Sequence, residues 1–135
     1  MYQITQEVPF CYGHRLHNYQ GKCARLHGHN GVAMIVLRST GLDRQGMVVD
    51  FIDIERKVRG YIDETLDHRL LLHRDDPVIP ALRALGEPFL AVDENPTAEN
   101  LARMIFEFVA REGFPVLEVR LRETEGSYAA YSPDH

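Results

Sequence analysis

The sequence predicts an α+β domain, an antiparallel sheet with two helices packed on one face. Three observations point there. Apolar residues alternate at both ends of the chain, at Tyr2, Ile4, Val8 and Phe10 and again at Leu117, Val119 and Leu121. Between them, two stretches repeat apolar residues at three- and four-residue spacing. No internal repeat or Ser/Gly-rich linker divides the 135 residues, so residues 1–135 read as one domain.

The first strand takes residues 2–10, despite Gln6 in the apolar phase. A β-rich run from Val32 to Leu37 follows and stops at Ser39, Thr40 and Gly41. Leu42 to Gly46 reads as a hairpin turn, and Met47 to Val49 as a short return strand. The first helix starts near Asp50, a plausible N-cap, with Phe51, Ile54, Val58, Tyr61 and Ile62 as its apolar stripe. From His73 to Glu94 the chain is expected to be irregular, broken by Pro77, Pro80, Gly86 and Pro88. The second helix follows Asn95-Pro96-Thr97, where Asn95 or Thr97 caps and Pro96 suits a first helical position. Its stripe is Leu101, Met104, Ile105, Phe108 and Val109, and Gly113 with Pro115 stops it. A last strand runs from Leu117. Such a sheet leaves two edges open, and closure by oligomerisation is the expected remedy.

Composition narrows the function. Fifteen Lys and Arg against 20 Asp and Glu give a net charge of −5, which argues against broad nucleic-acid or anionic-membrane binding. No apolar run approaches the roughly 18 residues that cross a bilayer. Residues 1–7 carry neither a basic start nor an apolar segment, so secretion is not expected. Cys11 and Cys23 cannot build a disulfide framework, and the cytoplasm is the expected compartment.

The unusual feature is histidine. Four of the seven, His14, His17, His27 and His29, fall within 16 residues. In His27-Gly28-His29, residues two apart project to one face if the Val32–Leu37 strand extends back that far. His14, at the end of the first strand region, supplies a third nitrogen from a neighbouring strand. Three histidines with an open fourth position is the arrangement of catalytic zinc, and Cys23 or His17 offers a way to close it. The plainer alternative, imidazoles that merely lie close, is disfavoured by the His-x-His pair with a third histidine upstream. Neither His-Glu-x-x-His nor the deaminase pattern with Pro-Cys-x-x-Cys is present.

Cys23 lies between Lys22 and Arg25, whose charge favours the thiolate and suits a base or nucleophile. Cys11, between Phe10 and Tyr12, reads better as a small buried hydrophobe. Asp67-His68 is either a carboxylate–imidazole relay pair or an exposed pair at a helix C-terminus. Glu123 shares phase with Leu117, Val119 and Leu121. It therefore either meets donors at a cavity, such as two parallel N–H groups of a pterin or guanine edge, or is solvated at the strand end.

Together these pieces resemble the 6-pyruvoyltetrahydropterin synthase family. The matching residues are Phe10, His14-Arg15-Leu16, Gly21-Lys22-Cys23, Leu26-His27-Gly28-His29-Asn30, Gly46-Met47-Val48 and Asp50-Phe51. They continue through Leu66-Asp67-His68, Glu94-Asn95-Pro96-Thr97, Glu99-Asn100 and Glu123-Thr124. The resemblance implies the tunnelling fold, whose sheets join into barrels in trimers, usually paired as hexamers with active sites between subunits. It implies Zn2+ on His14, His27 and His29, Cys23 as general base, and Asp67 with His68 as its relay. It also implies that Glu123 anchors the pterin ring, assisted by the segment from Thr97 to Glu99.

The spacing of four from Cys23 to His27 resembles the bacterial, carboxy-forming branch, which implies a place in queuosine biosynthesis. The implied reaction converts 7,8-dihydroneopterin triphosphate to 6-carboxy-5,6,7,8-tetrahydropterin, acetaldehyde and triphosphate. The alternatives are release of triphosphate alone to give 6-pyruvoyltetrahydropterin, and a pterin- and zinc-binding oligomer without catalysis. Three departures from the family pattern stand out. Tyr12 stands where a small residue is usual, Gly31 where an aromatic residue is common, and Leu71-Leu72 with His73 replaces a Leu-Asn pair.

Overall fold

Two 13-residue strands, β1 (Tyr2–His14) and β2 (His27–Ser39), pair antiparallel over their whole length, from Tyr2 opposite Ser39 to His14 opposite His27. The computed structural model describes residues 1–133. After β2 come α1 (Phe51–Thr65), β3 (Leu70–His73), α2 (Ile79–Leu85) and β4 (Phe89–Val92). The long helix α3 (Ala98–Arg111) and the hairpin of β5 (Val116–Thr124) and β6 (Ser127–Tyr131) complete the chain. The strands form one sheet in the order β4-β3-β1-β2-β5-β6, with β4 and β6 at its edges.

Helices α1 and α3 lie on one face. Ile54, Val58 and Ile62 of α1 and Leu101, Ile105 and Val109 of α3 share one core with Val8, Phe10, Ile35, Leu37, Val119 and Leu121 of the sheet. Each fully buried aliphatic side chain stabilises by about 1.5–3 kcal/mol, against about 1 kcal/mol for a cap, so the stripes hold the helices and the caps set where they start. Asp50 caps α1 by accepting from the Ile52 amide at 2.9 Å, and Thr97 caps α3 by accepting from the Asn100 amide at 3.2 Å.

The α+β layout is as expected, and three details differ. The sheet is mixed, because β3 pairs parallel with both β1 and β4. The stretch from His73 to Glu94 is ordered and carries a third helix. Leu71 and Leu72 are fully buried, and an apolar run buried on both faces shows no alternation to read. Leu72 meets Ile79 and Leu82 of α2 in a small second core, and Gly86 closes that helix in the left-handed region at φ 72°. Finally, Met47 to Val49 form no strand. The Asp43 carboxylate accepts from the amides of Gln45 and Met47, offering the backbone a turn in place of a ladder. Among the described residues no helix is long and apolar enough to cross a membrane.

Candidate active site

The β1–β2 register decides where the histidines meet. His14 stands opposite His27 and Tyr12 opposite His29, so strand alternation puts all four rings on the helix-covered face. One ring nitrogen from each of His14, His27 and His29 lies within 4.8 Å of the others. The Nε2 atoms of His14 and His29 are 3.2 Å apart. A tetrahedral metal with nitrogen ligands at about 2.0–2.1 Å holds them about 3.3 Å apart, so the spacing fits a shared ion.

The tautomers fit as well. His14 Nδ1 is 2.7 Å from the Pro96 carbonyl and His27 Nδ1 is 2.7 Å from the Arg25 carbonyl. A carbonyl only accepts, so each Nδ1 carries the proton and each Nε2 keeps its lone pair for a metal. Burial pushes the His14 imidazole below its ordinary value, partly opposed by the Pro96 carbonyl and Glu123, which favours the neutral ligand form. The Pro96 prop is itself held. The Asn95 side chain bonds both the amide and the carbonyl of His17, at 2.7 and 3.0 Å, and Asn100 donates to the Asn95 carbonyl at 2.8 Å.

Glu123 completes this end of the sheet. Its carboxylate oxygens lie 3.8 Å from His14 Nε2 and 3.7 Å from His29 Nε2. The Tyr12 hydroxyl donates to Oε1 at 3.0 Å, so the carboxylate does find a donor. Burial first, and then the Glu123 charge, raise the Tyr12 phenol far above its ordinary value, and it remains a donor at any working pH.

Asp67 and His68 sit just past α1, with His68 at φ 59°. Asp67 accepts from His68 Nδ1 at 2.8 Å and from the Cys11 amide at 3.0 Å. Burial alone would raise Asp67, but the Cys11 amide, His68 and Arg59 outweigh it and hold the carboxyl below its ordinary value. Among the described residues, no hydrogen bond links Cys23 to Asp67 or His68, the pair with which it is expected to form a relay. Cys23 is exposed in a short 3-10 turn, Lys22–Ala24. The thiol beside His68 is that of Cys11, half-buried and not the buried hydrophobe the sequence suggested. Its sulfur is 3.5 and 3.4 Å from the two ring nitrogens, nearly equidistant, so it rests against the ring and is not in line with either nitrogen.

A cleft of about 620 Å³ is lined by His27 and His29 of the first group and by Cys11 and His68 of the second, together with Tyr12. Other sequence candidates have structural partners. Arg15 makes a two-pronged ion pair with buried Asp76, through Nε at 2.7 Å and through its Nη2. Thr97 caps α3, and Glu99 is exposed in that helix's first turn. His73 stacks on His17 at 4.9 Å. Sequence reasoning missed the two carbonyl props and the Asn95 clamp. Backbone carbonyls carry no residue signature, and Asn95 reads equally well as a helix cap.

Comparison with known proteins follows the geometry closely. The sequence profile of the 6-pyruvoyl tetrahydropterin synthase family matches residues 3–134. A 6-carboxy-5,6,7,8-tetrahydropterin synthase of Rickettsia conorii is 35% identical over 95% of this chain and 98% of its own length. One from Haemophilus influenzae is 31% identical over 97% of this chain and 99% of its own. Among solved structures, an uncharacterized protein of Wolinella succinogenes superposes with a TM-score of 0.83 at 30% identity, covering 98% of both chains. The Caenorhabditis elegans 6-pyruvoyl tetrahydropterin synthase shares the fold, with a TM-score of 0.73 at 24% identity over 98% of this chain and 96% of that one.

Proposed function

The chain belongs to the 6-pyruvoyl tetrahydropterin synthase family, and from that premise we propose that it is a zinc-dependent lyase making 6-carboxy-5,6,7,8-tetrahydropterin. The substrate is 7,8-dihydroneopterin triphosphate, which with water gives the carboxylated pterin, acetaldehyde and triphosphate. The observation that carries the reading is the three-imidazole centre, with two rings oriented by backbone carbonyls. The names of relatives that align over nearly the whole chain, such as those of Rickettsia conorii and Haemophilus influenzae, support the product.

His14, His27 and His29 hold the ion. When bound, Zn2+ polarises the hydroxyls of the substrate side chain and lowers the cost of losing their protons. Cys23 takes a proton as general base. His68 accepts or returns that proton, and Asp67, bonded to Nδ1, stabilises its charged form. The relay forms between subunits of a homo-oligomer, a dimer of trimers, a reading supported by the lack of any hydrogen bond between Cys23 and Asp67 or His68 among the described residues. The open edges β4 and β6 are the strands available for joining sheets into a barrel. Glu123 anchors the pterin by accepting two parallel N–H groups, with the Thr97–Glu99 segment assisting. No contact with nucleic acid or membrane is part of this reading, and the cytoplasm is its compartment.

The test is mass spectrometry of products after zinc-loaded protein meets 7,8-dihydroneopterin triphosphate. The carboxytetrahydropterin mass together with acetaldehyde is expected. A 6-pyruvoyltetrahydropterin mass would replace the lyase reading with the triphosphate-releasing one, and unchanged substrate would refute both.

A further inference from the structure

Tyr12 is not a metal ligand, yet the site is built around its ring. The ring is 3% exposed, stacks on Phe10 at 5.3 Å and meets His14 edge-on, also at 5.3 Å. Gly31 makes the room for it, because a Cβ there would fall 2.9 Å from Tyr12 Cε1. A ring packed on these sides cannot follow a moving partner, so its hydroxyl is a fixed post. Glu123 is what the post holds.

The distances give this bond a purpose. Glu123 stands 3.7–3.8 Å from two candidate ligand nitrogens. Two donors sharing a tetrahedral metal stand about 3.3 Å apart, so the carboxylate is short of the centre by about half an ångström. A carboxylate is a competent zinc ligand, and a dication beside it draws it inward. Three histidines and a carboxylate would form a closed site, while catalysis needs the fourth position open.

We propose that Tyr12 is a positioning residue whose hydroxyl tethers Glu123 beside the three-histidine centre and keeps it from becoming a fourth protein ligand. The tether leaves the fourth position to substrate and presents the carboxylate to the pterin. It rests on the metal reading above.

Tyr12→Phe tests it, since the ring and its packing remain and only the hydroxyl goes. Wild type, Tyr12→Phe and the double variant Tyr12→Phe/Glu123→Gln are loaded with Co2+, a spectroscopic substitute for zinc. Visible absorption and metal dissociation constants are then compared. A hydrogen bond to a charged group sets the scale, so Tyr12→Phe should hold metal roughly ten- to a hundredfold tighter. Its cobalt spectrum should shift as a carboxylate enters the shell, and the double variant should return both readouts toward wild type. Identical spectra and affinities in wild type and Tyr12→Phe would overturn the tether while leaving the metal centre standing. Failure of all three proteins to take up metal would overturn the metal reading and the tether together.

Discussion

Around His14, every support comes from the same chain. The Pro96 carbonyl orients Nδ1, the Asn95 clamp fixes the loop that carries that carbonyl, and the ring is 3% exposed. Around His68 the support stops at Asp67 and the Cys11 sulfur, and the side chain is 78% exposed. Strand alternation sets the two on opposite faces of β1, since His14 shares a face with Tyr12 while His68 rests against Cys11. A metal site needs ligands fixed to a fraction of an ångström, and the paired β1–β2 ladder with its carbonyl props provides that. A proton relay needs only a final contact, which a second subunit can bring.

The largest effect should come from the built half. His27→Ala removes one of the three proposed ligands together with its Arg25 prop, so bound zinc and turnover should both vanish. Metal analysis of the purified variant checks this, and a full complement of zinc would refute the ligand set. Next come the two cysteines, which separate the halves. Cys23→Ala should keep its zinc and lose about 10²–10⁴-fold in turnover, the usual contribution of general base catalysis. Cys11→Ala should lose less than about tenfold, since its sulfur only braces the His68 ring. Equal losses in the two variants would erase the distinction between a base and a brace.

A smaller effect concerns stability. Asp76 is buried, and its pairing with Arg15 holds its carboxyl below the ordinary range, against the opposing pull of burial. A carboxyl lowered in the folded state stabilises above its unfolded pKa and loses that contribution as pH falls through the folded one. Asp76→Asn should cost about 2–3 kcal/mol at neutral pH, less than a fully buried pair because Arg15 is one-quarter exposed. Its melting temperature should also fall less steeply than wild type in acid below about pH 4. Thermal melts from pH 3 to 7 decide it, and parallel acid limbs would count against the pair.

Much of this was legible in the residues themselves. Long antiparallel strands alternate, so β1, β2 and β5 announce themselves, and His27-Gly28-His29 shows its shared face through the same period. The helices α1 and α3 show in their stripes. What stayed hidden depends on distant partners or on backbone. β3 and β4 are four residues each and owe their existence to parallel pairing, which no local pattern encodes. Pro96 reaches His14 through a carbonyl, 82 residues along the chain. The departures at Tyr12 and Gly31 look unrelated in sequence and prove to be one feature, a ring and the space it fills. Cys11 has apolar neighbours in sequence, whereas the turn after α1 brings His68 against it.

On the proposed reading, the metal half is complete in one chain and the relay half is completed by another. Cys23→Ala and His68→Ala subunits, each inactive alone, should be co-expressed and the mixed oligomers assayed. A site that takes Cys23 from one chain and His68 from its neighbour is intact in about one random pairing in four, so roughly a quarter of wild-type turnover should return. Turnover no higher than that of either parent would mean that both residues act within a single chain, and the division between the two halves would be wrong.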